Sequence, residues 1–174
     1  LAAATVMRLQ TIVSRETAGA ETAVVTVGMI RAGSTNNVIP DQAELRLNVR
    51  TQDPAVRQRT LAAIERIVTA EAQASGAPRP PDIDHTDYFP ALRNDESATA
   101  RTRAVFVDWL GAAAVLDPGP QTGSEDVGVL AESAGAPCCF WFLGGADPAL
   151  FASVTSLEEA MEVIRAIPSN HSPS

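Results

Sequence analysis

The chain has 174 residues, 45% of them hydrophobic and 20% charged, a balance that excludes disorder and fibrous repeats. That length holds one ordinary domain or two small ones. The net charge of −8, from 13 basic and 21 acidic side chains, excludes the basic face that binding to nucleic acid needs. All the basic residues are Arg, so Schiff-base catalysis, a P-loop lysine and a lysine general base are ruled out. No apolar run reaches the roughly 18 residues of a membrane span, and no signal-peptide pattern opens the chain.

The elements follow in chain order. Val6, Leu9 and Val13 fall at spacings that predict an amphipathic helix ending near Arg15. A loop over 17–21 leads into a β-branched strand, Ala23 to Ile30. The next loop, Ala32 to Gln42, carries Gly33, Asn36, Asn37 and Pro40. Strict alternation then places Ala43, Leu45, Leu47 and Val49 on one face. Glu44, Arg46, Asn48 and Arg50 take the other, as in a half-buried antiparallel strand. Asp53-Pro54 starts a helix, as N-cap and first helical residue. Leu61, Ile64 and Val68 form its inward stripe, and Gly76 ends it. Ile83 to Phe89 reads as one more strand. The order α-β-β-α-β is a ferredoxin-like α+β module, βαββαβ, without its first strand.

Beyond Pro90 the pattern changes to alternating helices and strands. Asn94-Asp95 caps a helix to about Leu110, stopped by Gly111, and Ala113 to Leu116 is a short strand. Ser124-Glu125-Asp126 opens a helix to about Ser133, and Cys138 to Leu143 reads as a strand buried on both faces. Ser156 with Glu159 is a capping box. Its helix would turn Leu157, Met161, Ile164 and Ile167 inward. Two strands make an incomplete α/β portion. Together with a start at Leu1 inside a helical pattern, this leads us to expect a piece of a longer protein. Cys138 and Cys139 are adjacent, pointing to opposite faces of a strand. They read as small buried hydrophobes in a reduced, cytoplasmic protein.

Few residues carry chemistry. No G-x-S-x-G is present, and Gly144-Gly145 lacks the rest of a dinucleotide loop. His85, between Asp84 and Asp87, reads as a strand-surface histidine. His171, in a polar segment after a helix, is either a solvated side chain or a metal ligand. Glu125 and Asp126 complement the dipole of a first helical turn. Arg50 and Asn37 are either a solvated sheet face with a turn asparagine or an anion clamp. In the clamp, the Arg fork grips a carboxylate and the amide orients it.

Three groups of residues decide further. The run Leu9-Gln10-Thr11-Ile12-Val13-Ser14-Arg15-Glu16, Gly33 with Asn37-Val38-Ile39-Pro40-Asp41, and Val49-Arg50-Thr51 resemble the lid of the M20 metallopeptidase superfamily. The nearest branch is the amidohydrolases of hippurate hydrolase and N-acyl-amino-acid hydrolase type. Gly123-Ser124-Glu125-Asp126, Phe142-Leu143-Gly144 and Asn170-His171-Ser172-Pro173 are similar to the later part of that family's catalytic domain, in the same order.

The resemblance implies a lid and dimerisation domain over 1–91 and the end of a catalytic domain over 92–174. It implies that Asn37 and Arg50 bind the substrate's carboxylate or scissile carbonyl, and that His171 is the last metal ligand. It further implies two divalent ions (Zn, Mn, Ni or Co) and hydrolysis of the amide bond of a small N-acyl amino acid. The partner it implies is a second copy through the lid, with no nucleic acid or membrane. The family's His-x-Cys-Gly-His-Asp-x-His motif, its glutamate base and its lid histidine are not in these 174 residues. The chain alone is therefore expected to be inactive and to hold no metal stably. The rival readings are a non-catalytic dimerisation module and a peptidase or deacylase of the same superfamily.

Overall fold

The computed structural model describes residues 1–121, 123 and 125–167, apart from the side chain of Leu157. It divides into two compact units, Leu1–Cys139 and Phe140–Ser174.

In the first unit, helix α1 spans Ala2–Thr11 and continues as a π-helical turn, Ile12–Glu16. Strands β1 (Ala23–Ala32) and β2 (Ala43–Thr51) form an antiparallel hairpin. Helix α2 spans Pro54–Ala74. Asp53 caps it, its carboxylate accepting the Ala55 and Val56 amides at 2.7 and 3.2 Å. Gly76, at φ +66°, takes the left-handed turn that ends it.

A two-stranded sheet is marginal in water unless one face packs on helices, and here α1 and α2 supply that cover. Leu9, Ile12, Val25, Ala63, Ile64 and Ile67 form the buried core, with Val27, Leu47, Val49, Leu61 and Val68 packed around it. Leu9 and Ile12 are 0% and 1% exposed. The buried stripe of the first helix is therefore Thr5, Leu9 and Ile12, while Val13 points outward. The buried three are spaced four and then three residues apart, as on one helical face. Thr5 is tolerated there because its hydroxyl donates to the Leu1 carbonyl at 3.3 Å.

A bulge between Val27 and Met29 sets Met29 opposite Arg46 and Ile30 opposite Leu45. The extra residue keeps aliphatic Ile30 on the face of Leu45. Three ion pairs tie α1 and the following loop to α2. They are Arg8–Glu71 at 3.2 Å, Arg59–Glu21 at 2.5 Å and Arg66–Glu16 at 2.7 Å.

The strand expected over 83–89 is absent: residues 77–95 form no regular element. In a βαββαβ module the last strand pairs with the first, and no strand precedes α1 in these residues. The segment instead runs back along α2. His85 Nε2 is 3.4 Å from Glu65 Oε1, and the Arg57 guanidinium lies 4.0 Å from the Tyr88 ring centroid. Farther on, Arg93 donates to the Gln52 carbonyl at 3.3 Å.

Helix α3 (Glu96–Leu110) is capped by Asp95 and stopped by Gly111 at φ +84°. The Asp95 amide also donates to the Cys138 carbonyl at 2.7 Å. A 3₁₀ turn, Ala112–Ala114, stands where a strand over 113–116 was expected. Helix α4 spans Val127–Ser133. Gly128 of α4 comes up against Leu92, where an added Cβ would sit at ordinary contact distance, 3.4 Å from Leu92 Cα.

The second unit holds a 3₁₀ turn, Pro148–Phe151, and helix α5, Leu157–Ala166. Its capping box forms: Ser156 Oγ accepts the Glu159 amide at 3.2 Å. The Glu159 carboxylate reaches back to the amide and hydroxyl of Thr155 at 2.7 and 3.1 Å. These bonds, the backbone amide foremost, hold the Glu159 pKa below its ordinary value. Residues 138–143, where a strand was expected, form no regular element and join no ladder among the described residues. Phe140 and Phe142 nonetheless keep the two-residue period, their rings edge to face at 5.1 Å. A ladder needs neighbouring strands, and neither expected strand of this half has one. The architecture is an α+β lid followed by part of an α/β domain.

Candidate lid clamp

The polar face of β2 carries Glu44, Arg46, Asn48 and Arg50 in a row, all exposed. The two-residue period of the strand stacks them side by side. They couple in twos. Arg46 Nε donates to Glu44 Oε1 at 2.7 Å, and Arg50 Nε donates to Asn48 Oδ1 at 3.0 Å. Across the ladder, Arg50 faces Val24 and Asn48 faces Thr26.

Asn37 occupies a turn in the loop that joins β1 to β2, and it is exposed. The loop leaves the hairpin where Ala32 pairs with Ala43. Arg50 pairs with Val24 near the other end. Seven residues separate Ala43 from Arg50, about 23 Å of strand at about 3.3 Å per residue. The register thus sets Arg50 at one end of the ladder and anchors the loop of Asn37 at the other. Next to that loop, a shallow hollow of about 230 Å³ is lined by Arg31, Gln42, Ala43 and Glu44. Val38 and Ile39 of the loop stand in the open, Ile39 at 93% exposure.

His171 lies outside the described residues, as does Ser124. Among the described residues no group of three or more His, Cys, Asp and Glu is placed to hold a metal ion. Those residues therefore do not fit a dinuclear centre by themselves. Cys138 and Cys139 are free thiols, half-buried where full burial was expected. His85 is on the extended segment against α2, where a strand was expected. Glu125 and Asp126 precede α4, and Asp126 makes no side-chain cap bond. Asn48 is the member of this site that motif reading passes over. The signal was present as its i, i+2 spacing from Arg50 on one face of the strand.

Residues 2–75, from α1 through α2, match the model of the peptidase dimerisation domain of the M20 type. Residues 2–75 are thus an M20-type peptidase dimerisation domain. The chain is 34% identical over 146 residues to N-acetyl-L-cysteine deacetylase of Bacillus subtilis, a match covering 80% of this chain and 32% of that protein. Hippurate hydrolase of Campylobacter jejuni is 30% identical over 139 residues, covering 79% and 35% respectively. Among solved structures, a chain designated an aminohydrolase from methicillin-resistant Staphylococcus aureus superposes with a TM-score of 0.61 at 30% identity. That match covers 76% of this chain and 33% of the other. The chain spans about a third of the length of the curated relatives named here. Among the described residues, no helix is long and apolar enough to cross a membrane.

Proposed function

We propose that this M20 lid serves the hydrolysis of the amide bond of small N-acyl amino acids, with Arg50 gripping the substrate's carboxylate. The observation that carries the proposal is the Arg50 guanidinium, exposed on the lid's polar strand face and held at Nε by Asn48. A guanidinium is the side chain whose planar fork matches a carboxylate, which accepts two parallel N–H bonds. The relatives are named for deacetylation of N-acetylcysteine and N-acetyldiaminopimelate and for hydrolysis of hippurate. All of those compounds pair an amide with a carboxylate. Asn37 is also put forward as a substrate-binding amide, although the register anchors its loop at the other end of the hairpin from Arg50.

A dinuclear centre of divalent ions would supply the hydrolytic water in such an enzyme. In this chain the metal requirement rests on the resemblance of residues 170–173, and His171 is the one position put forward as a ligand. We place the lid over 1–91 and the catalytic portion over 92–174. We also place the protein in a reduced, cytoplasmic setting, where Cys138 and Cys139 stay thiols.

The test is the pair of substitutions Arg50→Ala and Arg50→Lys in the active enzyme. Arg50→Ala should cost about 2–5 kcal/mol in kcat/KM on an N-acyl amino acid. Arg50→Lys should recover only part, because an ammonium cannot form the fork. On the same compound with its carboxylate replaced by a neutral carboxamide, wild type should be slow and Arg50→Ala little slower. Equal impairment on both compounds would return Arg50 to a purely structural role in the strand.

A further inference from the structure

A second hollow, sharing no residue with the β2 face, lies between α4 and the segment that precedes α3. Gly128, Ala131 and Glu132 fall at i, i+3 and i+4, so they share one face of α4. Gly128 brings that face up against Leu92. Gly135, at φ +59°, turns the chain back after the helix. The Cys138 carbonyl then accepts the Asp95 amide at 2.7 Å, which holds the returning chain beside the start of α3. The hollow so formed measures about 230 Å³, and its lining includes Arg93, Glu132, Ala131, Ala136 and Cys138.

Two opposite charges line this hollow without neutralising each other. Arg93 donates to the uncharged Gln52 carbonyl at 3.3 Å and makes no ion pair among the described residues. The Glu132 carboxylate makes neither an ion pair nor a hydrogen bond among them. Most of the remaining lining is small and apolar. The volume falls below the roughly 300–1,000 Å³ of sites for drug-sized ligands, and suits a molecule of few heavy atoms.

We propose that this hollow binds a small free amino acid, its carboxylate on Arg93 and its ammonium on Glu132. An α-amino acid carries its two charges one carbon apart. It can therefore bridge a guanidinium and a carboxylate that do not reach each other, through two charge-assisted hydrogen bonds. A small side chain would meet Ala131 and Ala136. A simple anion would leave Glu132 unpaired and a simple cation would leave Arg93 unpaired, so the zwitterion is selected against both. The site is independent of any role for Arg50. The amide hydrolysis proposed above would release a molecule of this class, which gives a product a place to bind outside the lid clamp.

The experiment is a titration of the 174-residue chain followed by protein NMR chemical shifts. The probes are alanine, propionate, which lacks the ammonium, and alaninamide, which lacks the carboxylate. Alanine should bind with a Kd of about 1 mM, moving the resonances of residues 90–93 and 128–138. Propionate and alaninamide should each bind about tenfold more weakly. Glu132→Gln should weaken alanine about tenfold and leave propionate unchanged. Arg93→Gln should weaken alanine by a similar factor and leave alaninamide unchanged. Arg93 also holds the Gln52 carbonyl, so Glu132→Gln decides the matter if Arg93→Gln disturbs the fold.

No shift with alanine at about 20 mM would overturn the proposal. Equal binding of alanine and either single-charge probe would overturn it as well, as would shifts confined to other residues. Wild-type affinity for alanine in Glu132→Gln would remove the ammonium contact, and the zwitterion site with it. Equal losses for all three probes in Glu132→Gln would mark a disturbed hollow in place of a lost charge pair, and would also overturn it.

Discussion

The guanidinium of Arg57, on the first turn of α2, lies 4.0 Å from the centre of the Tyr88 ring, thirty-one residues later in the chain. With His85 against Glu65 and Arg93 on the Gln52 carbonyl, it fastens residues 85–93 antiparallel to α2. A segment with no ladder of its own is held here through its side chains. Each of those contacts is partly exposed and individually weak.

That weakness is measurable. A double-mutant cycle between Arg57→Ala and Tyr88→Phe or Tyr88→Ala should show a coupling of about 0.5–1 kcal/mol for the alanine pair. The phenylalanine variant should keep most of it, because the ring face is what attracts the cation. Limited proteolysis should cut Tyr88→Ala between residues 80 and 93 faster than wild type. Unchanged cleavage there would show that Tyr88 does not hold the segment on α2.

The centre of the lid should respond very differently. Leu9 is fully buried between α2 and the hairpin, so Leu9→Ala should cost about 2–5 kcal/mol in unfolding free energy. Val13, one turn on but exposed, should cost under about 0.5 kcal/mol when replaced by Ala. Chemical denaturation of both variants would compare them directly. Equal costs would mean that the helix face is rotated from the one described.

Acid should weaken the anchoring of α2 through Glu21. Its carboxylate accepts the Ala18 amide at 3.1 Å and the Arg59 guanidinium. These two bonds, the amide foremost, hold its pKa below the ordinary value of 4.5. A depressed carboxylate contributes stability that is present above its unfolded pKa and is lost as pH falls through the folded one. Wild type should therefore have the higher Tm than Glu21→Gln at pH 7, with the gap narrowing as pH drops below about 4.5. A gap that stays constant down to pH 3 would exclude a role for the ionised form.

Assembly follows from the hairpin. Among the described residues β1 and β2 pair only with each other, leaving an outer edge on each. Unpaired edges invite another strand, and the residues concerned match a dimerisation domain. Sedimentation should give a species of twice the 18.3 kDa of one chain. A monomer at high concentration would exclude lid dimerisation for these residues.

Much of this protein was readable residue by residue. Asp53-Pro54 and Gly76 set the limits of α2. Asp95 and Gly111 did so for α3, and Ser156 with Glu159 opened α5. Caps and stops act through bonds spanning at most four residues, so the local sequence contains all of their chemistry. The alternation from Ala43 to Arg50 likewise gave both faces of β2, because a strand's period is exact. The likeness of residues 2–75 to an M20 dimerisation domain was legible in the same way, from short runs around Asn37 and Arg50.

What tertiary structure decided lies farther apart in sequence. The buried stripe of α1 became Thr5, Leu9 and Ile12 because α2 and β1 lie on that side, a rotation that helical spacing alone leaves open. Residues 83–89 have the composition of a strand, but a strand exists only by pairing. With no neighbouring strand among the described residues they follow α2 instead, held by Glu65 and Arg57. The separation of Arg50 from the loop of Asn37 was also settled by the hairpin register, which pairs Arg50 with Val24 at one end and Ala43 with Ala32 at the other. Local chemistry determines where an element begins and which way its side chains alternate. Which of its faces is buried, and whether it has a partner at all, depends on residues brought close only by folding.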